Sequence, residues 1–515
     1  MKEEAPPPPY SDAVENHHDQ DINHSVVVKQ KDTHMHDAES QEKRLEDDHI
    51  PMLRDYQFWN VLAISISFMI LFSAFHTCGM LQNSVLNDVH DEYFNGTGKE
   101  GYYSAAAIYT TMAVSNWIAP SMIAYTGPKY GMILGGIPYC LFMAVFLRPL
   151  YGTLYAASVL LGLGAAIIWT SQGVFLTINS TDKTMSRNAG MFWAILQLSN
   201  LWGNIFATIQ LGQGSEISHQ TRFILFIVLL VVAIVGVVMI LMLRYPGARD
   251  RGKSAASVTQ TSTRSARDWR KWAWILEIVA SFKLLITRNM LLLAVTFAYT
   301  GFMLTFYSGV YGTAVHQTGQ FGTEKNYLLG LNGTIIGIGE IVAGALFGFL
   351  GSRIHRLGRS LIVSIGVLMQ LVSYLLIFLY FPAMSPLRVS SEATYIEPSK
   401  AVALSCAFML GFGDASINIQ IYALLGNMYA ADSAPAFALF KFMQSFTAAI
   451  GFFYSSELTL PPQLAIVAAF GVAGAFTFVL VEWLTYRDFT RARQTNTTAI
   501  SLTTIATADK FIKSQ

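Results

Sequence analysis

Charge is what this sequence has least of. Asp, Glu, Lys and Arg make up only 13% of its 515 residues, about half the share in a soluble domain. Hydrophobic residues reach 53% and mean hydropathy is +0.41, so the deficit points to a membrane. A net charge of +1, with no basic stripe or zinc-knuckle spacing, argues against a nucleic-acid partner. Cysteine is scarce too. Cys78, Cys140 and Cys406 all lie in apolar runs, so no disulfide framework is implied. Catalytic patterns are missing: no nucleophile beside a base, no carboxylate pair, no phosphate loop and no metal-ligand spacing. The sequence predicts a non-enzyme without cofactor or metal site. The first ~50 residues are polar rather than signal-like, so the first apolar run is expected to serve as the insertion signal.

What is there is a series of apolar runs about 17–25 residues long, each able to cross a bilayer as a helix. Twelve are expected, near 58–80, 103–125, 130–147, 153–177, 189–211, 223–243, 289–313, 327–350, 360–381, 400–428, 434–456 and 463–486. Inside lipid the backbone must satisfy itself, which makes them helices. The longest hydrophilic gap between runs follows the sixth and divides the chain into six plus six. The chain also repeats itself. Leu161-Gly162-Leu163-Gly164-Ala165 in the fourth run matches Leu410-Gly411-Phe412-Gly413-Asp414 in the tenth. Repetition by halves marks a two-bundle transporter fold with its site between the halves. One position breaks the match, where Ala165 becomes the acid Asp414.

The expected organisation is an acidic, disordered tail over 1–54, a first bundle over 55–244, a basic loop over 245–288, a second bundle over 289–486 and a disordered tail over 487–515. Within the loop, Ser265 to Lys283 alternates Trp and Leu with Arg and Lys, as a helix lying on a membrane surface would. With both termini in the cytoplasm, the inner loops hold sixteen Lys and Arg against six outside, as the positive-inside rule requires. The sequon at Asn95 then faces outward, where glycosylation is possible. Pro7-Pro8-Pro9-Tyr10 fits a WW-domain ligand, or is a proline cluster in a disordered tail.

Ionisable groups at membrane depth are costly and point to function. Asp414 sits mid-run with Asn418 at i+4, on the same face. It binds a cation or proton, or is a structural acid. Glu340 lies in a glycine-rich eighth run and serves either a site or a helix contact. Lys441, about two turns into the eleventh run, is expected to snorkel to the inner surface; the alternative is pairing with Asp414 or Glu340. The first half has no deep acid. Trp193, Gln197, Asn200 and Asn204 form one helical stripe. With Trp169 and Gln172 they are expected to wall a cavity facing Asp414, unless they only join helices. His76 is a packing residue or a ligand.

Several motifs carry a family likeness. They include Thr77-Cys78-Gly79, Ser115-Asn116 with Pro120, Trp169-Thr170-Ser171-Gln172-Gly173, Arg187-Asn188-Ala189-Gly190-Met191-Phe192-Trp193, Gly203-Asn204-Ile205-Phe206 and Asn418-Ile419-Gln420-Ile421-Tyr422. Over roughly 54–486 the chain resembles the uncoordinated-93 family of the major facilitator superfamily, especially its orphan carrier-like branch. The resemblance implies an all-α fold of two pseudo-symmetric six-helix bundles around a central cavity. It also implies either a carrier for a small solute or ion, or a non-transporting partner of a potassium channel or receptor. A charged loop that gates rocking is usual after the second and eighth runs. Here the first copy, Gly127-Pro128-Lys129-Tyr130-Gly131, lacks its Asp and Arg. The second, beginning at Gly351, keeps Arg353, Arg356 and Arg359.

Overall fold

The structure is a computed structural model and describes residues 56–79, 100–181, 183–212, 219–244, 269–349 and 358–513. Residues Asn60–Gln515 form one compact unit, and Met1–Trp59 are assigned to another. The helices are α1 (Tyr56–Gly79), α2 (Glu100–Ser115), α3 (Ala119–Thr126), α4 (Pro128–Val145), α5 (Tyr151–Ile178), α6 (Met185–Gly212), α7 (His219–Leu241) and α8 (Trp269–Leu285). Then come α9 (Arg288–Gln317), α10 (Lys325–Phe349), α11 (Arg359–Tyr380), α12 (Lys400–Met428), α13 (Ser433–Ser455) and α14 (Leu460–Lys513).

Among the described residues, nine helices are long and apolar enough to cross a membrane: α1, α5, α7, α9, α10, α11, α12, α13 and the first part of α14. The expected runs 130–147 and 189–211 lie largely in α4 and α6. Run 103–125 is interrupted, because a turn at 116–118 separates α2 from α3. Pro120 sits in the first turn of α3. It has no N–H to bond the carbonyl four residues back, and its ring crowds that carbonyl. At the other end, the helix expected to stop near 486 runs on to Lys513. No Gly or Pro lies between 487 and 513 to stop it. The acidic tail 1–54 and most of the basic loop fall outside the described residues.

The sequence repeat is a packing repeat. On α5, a Cβ at Gly162 would collide with the Ile108 carbonyl of α2, and one at Gly164 would lie 2.7 Å from the Gly135 carbonyl of α4. On α12, a Cβ at Gly411 would collide with the Ile336 carbonyl of α10, and one at Gly413 would lie 2.8 Å from the Gly366 carbonyl of α11. The same glycine pair thus lets α5 press on α2 and α4, and α12 press on α10 and α11. Small residues allow such close backbone approach in lipid, where packing rather than the hydrophobic effect holds helices together. The turns repeat as well. Gly127 (φ 77°) precedes α4 and Gly358 (φ 78°) precedes α11, both in a region open mainly to glycine. The structural counterpart of Gly127 is therefore Gly358, seven residues beyond the Gly351 that begins the second loop motif.

The described part of the basic loop holds α8; the start of the amphipathic stretch read from Ser265 lies outside the described residues. Phe282 of α8 stacks on Trp117 at 4.3 Å, and Trp117 meets Phe442 of α13 at 5.0 Å. One indole is held between α8 and α13.

Candidate functional site

Asp414 is the middle of α12, a helix buried almost without a break from Leu410 to Gly426. It is 2% exposed and Glu340 of α10 is 0% exposed. Asp414 Oδ1 accepts a 3.0 Å hydrogen bond from Asn418 Nδ2, whose other contact is the Asp414 carbonyl at 3.0 Å. This is the i, i+4 pairing that the sequence spacing dictates. Asp414 Oδ2 has no partner.

Glu340 reaches the same place because α10 packs against both α12 and α6. Gly339 lies against Phe408 and Phe412 of α12, and Gly344 lies against Ala194 of α6. The Glu340 carboxyl faces Asp414 and Asn200, yet neither of its oxygens receives a hydrogen bond of good geometry. Two carboxyl groups that face one another offer only acceptors unless a proton or cation lies between them. Both ionised, they would repel strongly in a medium that screens little. Tyr307, within the π-helical segment Phe306–Tyr311 of α9, is within electrostatic reach of both acids. Such π segments recur at functional sites.

Lys441 does not snorkel. It is 4% exposed, and its Nζ donates a 2.8 Å hydrogen bond to Gln444. The same Nζ lies 4.8 Å from the Trp169 ring centroid, 5.6 Å from Tyr422 and 4.6 Å from Phe440. Asp414 lies within electrostatic reach, but among the described residues no carboxylate closes an ion pair with Lys441. Aromatic faces close to a desolvated ammonium compensate part of its lost hydration, which explains why the side chain turns inward.

The neutral wall comes from the first half. Trp193 lies 5.8 Å from Tyr422 and 6.4 Å from Trp169, ring to ring. Gln197 and Asn200 line the approach to Gly337 of α10. Gln172 is fully buried, with neither amide atom bonded to protein. The Asn204 side chain is outside the described residues. His76 stands apart: its Nδ1 lies 3.0 Å from Ser199 Oγ and its ring packs on Phe72 and Phe75. Ser199 gives its own hydrogen to the Leu196 carbonyl, so the imidazole is the donor to it. The contacts are those of a satisfied packing residue.

Of the loop candidates, Lys129 is half-buried, its Nζ 6.0 Å from the Tyr130 ring. Arg359 pairs with Glu482 of α14 at 2.6 Å. The same carboxylate takes the Ser360 N–H at 2.8 Å and the Ser360 hydroxyl, so it caps the start of α11. Arg359 therefore ties two helices of one half rather than one half to the other. Arg353, Arg356, Asn95, Pro7, Pro8 and Tyr10 lie outside the described residues.

The sequence reading passed over Lys441's cage, Tyr307, Asn332 and Gln420. The last two are also buried with unpartnered amide atoms. A signal existed for Gln420, two residues from Asn418 in a run already singled out. A separate cavity of about 400 Å³ lies among Phe378, Phe381, Tyr395, Leu460 and Pro461. It holds none of these acids.

The residues 95–479 match the family model described as "Ion channel regulatory protein UNC-93". UNC93-like protein MFSD11 of Xenopus tropicalis is 41% identical over 431 residues, covering 82% of this chain and 96% of that protein. Protein unc-93 homolog A of Bos taurus is 26% identical over 461 residues, covering 82% and 93%. Among solved structures, the major facilitator transporter FucP in its outward conformation aligns with TM-score 0.57 at 14% identity, covering 82% of this chain and 98% of that one. The proton:xylose symporter XylE aligns at 0.59 and 10% identity, covering 82% and 95%. At these identities the likeness shows the fold: helices of the major facilitator type. The chain is an integral, multi-pass membrane protein and belongs to the UNC-93 family.

Proposed function

We propose that the chain is a carrier that moves a small cationic solute through the space between its halves, in exchange for a proton held by Asp414 and Glu340. One observation carries this reading. Two carboxyl groups, both within 2% of full burial, face each other across α10 and α12, with Asn200 facing Glu340 but no hydrogen bond of good geometry reaching either Glu340 oxygen. A structural acid would be expected to have its lone pairs satisfied, because an unpaired buried charge costs several kcal/mol. A pair that holds either a proton or a cation between its oxygens explains the arrangement.

The test is flux in reconstituted vesicles. A proton gradient should drive uptake of a small cation by the wild type. Glu340→Gln should abolish coupling to protons, and Asp414→Asn should abolish uptake while leaving the amount of folded protein unchanged. Vesicles that carry no cation above empty controls would remove the carrier reading.

The family description is also compatible with a second reading, in which the chain regulates an ion channel or receptor without transporting. The first loop motif, Gly127 to Gly131, lacks the acid and arginine expected of a gate and supports the same idea. In that case Asp414→Asn is silent, and a channel or receptor co-purifies stoichiometrically from native membrane. Both readings place the termini in the cytoplasm, which protease access to tags at either end checks.

A further inference from the structure

We propose that the Trp169, Tyr422 and Phe440 rings form an ammonium-binding cage that Lys441 fills in this structure, and that the carrier's solute is an organic ammonium ion that takes the lysine's place. This rests on the reading of the inter-half space as a carrier site, and names its substrate class.

The cage has the composition that such a ligand needs. Three ring centroids lie within 5.6 Å of one ammonium nitrogen. A ring face is the negative end of its quadrupole, so it attracts a cation and repels an anion. The ammonium carries three N–H donors, and the hydrogen bond to Gln444 uses one. Trp169 rides on α5, while Tyr422 and Phe440 ride on α12 and α13, so the cage closes across the two halves. A cation in it is held by both bundles and released when they part.

The surroundings select donors rather than acceptors. Asp414 Oδ2, Asn418 Oδ1, Asn332 Oδ1, Gln197 Oε1 and both Glu340 oxygens are buried without partners. The unpartnered N–H donors are fewer: Trp193 Nε1 and the amides of Gln172 and Gln420, whose own amide oxygens are unpartnered as well. This excess of acceptors matches a ligand that brings N–H groups. It also gives Lys441 somewhere to go. Asp414 lies within electrostatic reach of the lysine, so an incoming ammonium can take the cage while the lysine moves to the carboxylates. A tethered lysine is then an internal competitor that keeps the site charge-balanced between cycles.

The experiment is equilibrium binding of methylammonium to the purified full chain, read by calorimetry in detergent. Lys441→Met and Lys441→Gln empty the cage. Each should bind methylammonium at least about tenfold more tightly than the wild type, the scale of a desolvated cation–π contact. Adding Trp169→Leu should erase the gain. Folded lysine variants that bind no tighter than wild type, or a gain that survives Trp169→Leu, would overturn the cage. If neither lysine variant can be purified, the wild type decides: methylammonium binding that Trp169→Leu weakens about tenfold supports the proposal, and binding indifferent to it refutes it. Binding needs no transport. A cage that binds in protein without flux would defeat the carrier reading alone. Flux of another solute with ammonium binding unchanged would defeat the cage alone.

Discussion

A methyl group at Gly411 tests whether the repeated glycines hold the bundle together. A Cβ there would overlap the Ile336 carbonyl oxygen, with the Ile336 carbon at 2.8 Å and its Cα at 3.1 Å. These are backbone atoms of a neighbouring helix and cannot rotate away. Ordinary carbon–oxygen contacts are about 3.3–3.6 Å, so α10 and α12 must part by about 1 Å. Overpacking of this kind costs about 1–3 kcal/mol, against a helix-propensity gain of at most about 1 kcal/mol for replacing glycine. Gly152→Ala isolates the gain, because nothing lies within 4 Å of its added methyl. The stability difference between the two variants should therefore be about 1–3 kcal/mol, roughly five- to a hundredfold in the unfolding equilibrium. Gly162→Ala, which meets Ile108 in the other half, should fall with Gly411→Ala. Unfolding by graded SDS in detergent micelles, followed by circular dichroism, reads the difference. Gly411→Ala matching or exceeding Gly152→Ala in stability would refute the packing argument.

Glu482→Gln weakens the contacts to Arg359 and Ser360 and should lower stability by about 1–3 kcal/mol, the range for hydrogen bonds to a charged group; an unchanged SDS midpoint counts against the cap. Glu277 of α8 is pushed up from the usual glutamate range by burial first and by the Asp432 carboxylate second. Its folded form holds its proton to higher pH than its unfolded form, so α8 docking is strongest below the ordinary glutamate range and weakens as pH rises through the raised value. Hydrogen exchange across 275–285 should quicken over that window and lose the trend in Glu277→Gln; protection that grows with pH contradicts it. Asn95→Gln should sharpen and speed the band on a gel if the first outer loop is glycosylated, and an identical band shows that it is bare.

Much of the scaffold is legible in the sequence because lipid leaves few options. A long apolar run becomes a helix, and paired Gly-x-Gly segments in two such runs become paired helix contacts. The Asp414–Asn418 bond follows from helical spacing alone. Lys441 was harder. Its position in the eleventh run allowed it to reach the inner surface, and only the meeting of α5, α12 and α13 shows three rings waiting for it. The Glu340–Asp414 encounter depends on how α10 seats on α12, a long-range fact that no local pattern encodes. The same holds for Arg359, whose partner Glu482 lies 123 residues away. The gap between α2 and α3 was readable, since Pro120 announces it.

Among the described residues, every buried carboxyl or ammonium group, Glu340, Asp414 and Lys441, rides on α10, α12 and α13, while α5 and α6 bring mainly indoles and amides. A rocking motion therefore swings an uncharged wall past a fixed electrostatic assembly. Membrane voltage does work only on charge displaced along its field, about 2.3 kcal/mol per elementary charge per 100 mV. Under the proposed carrier reading, an N-terminal half that tilts alone displaces none of these three groups along the field, so alternation is driven by what occupies the assembly and not by the electrical potential.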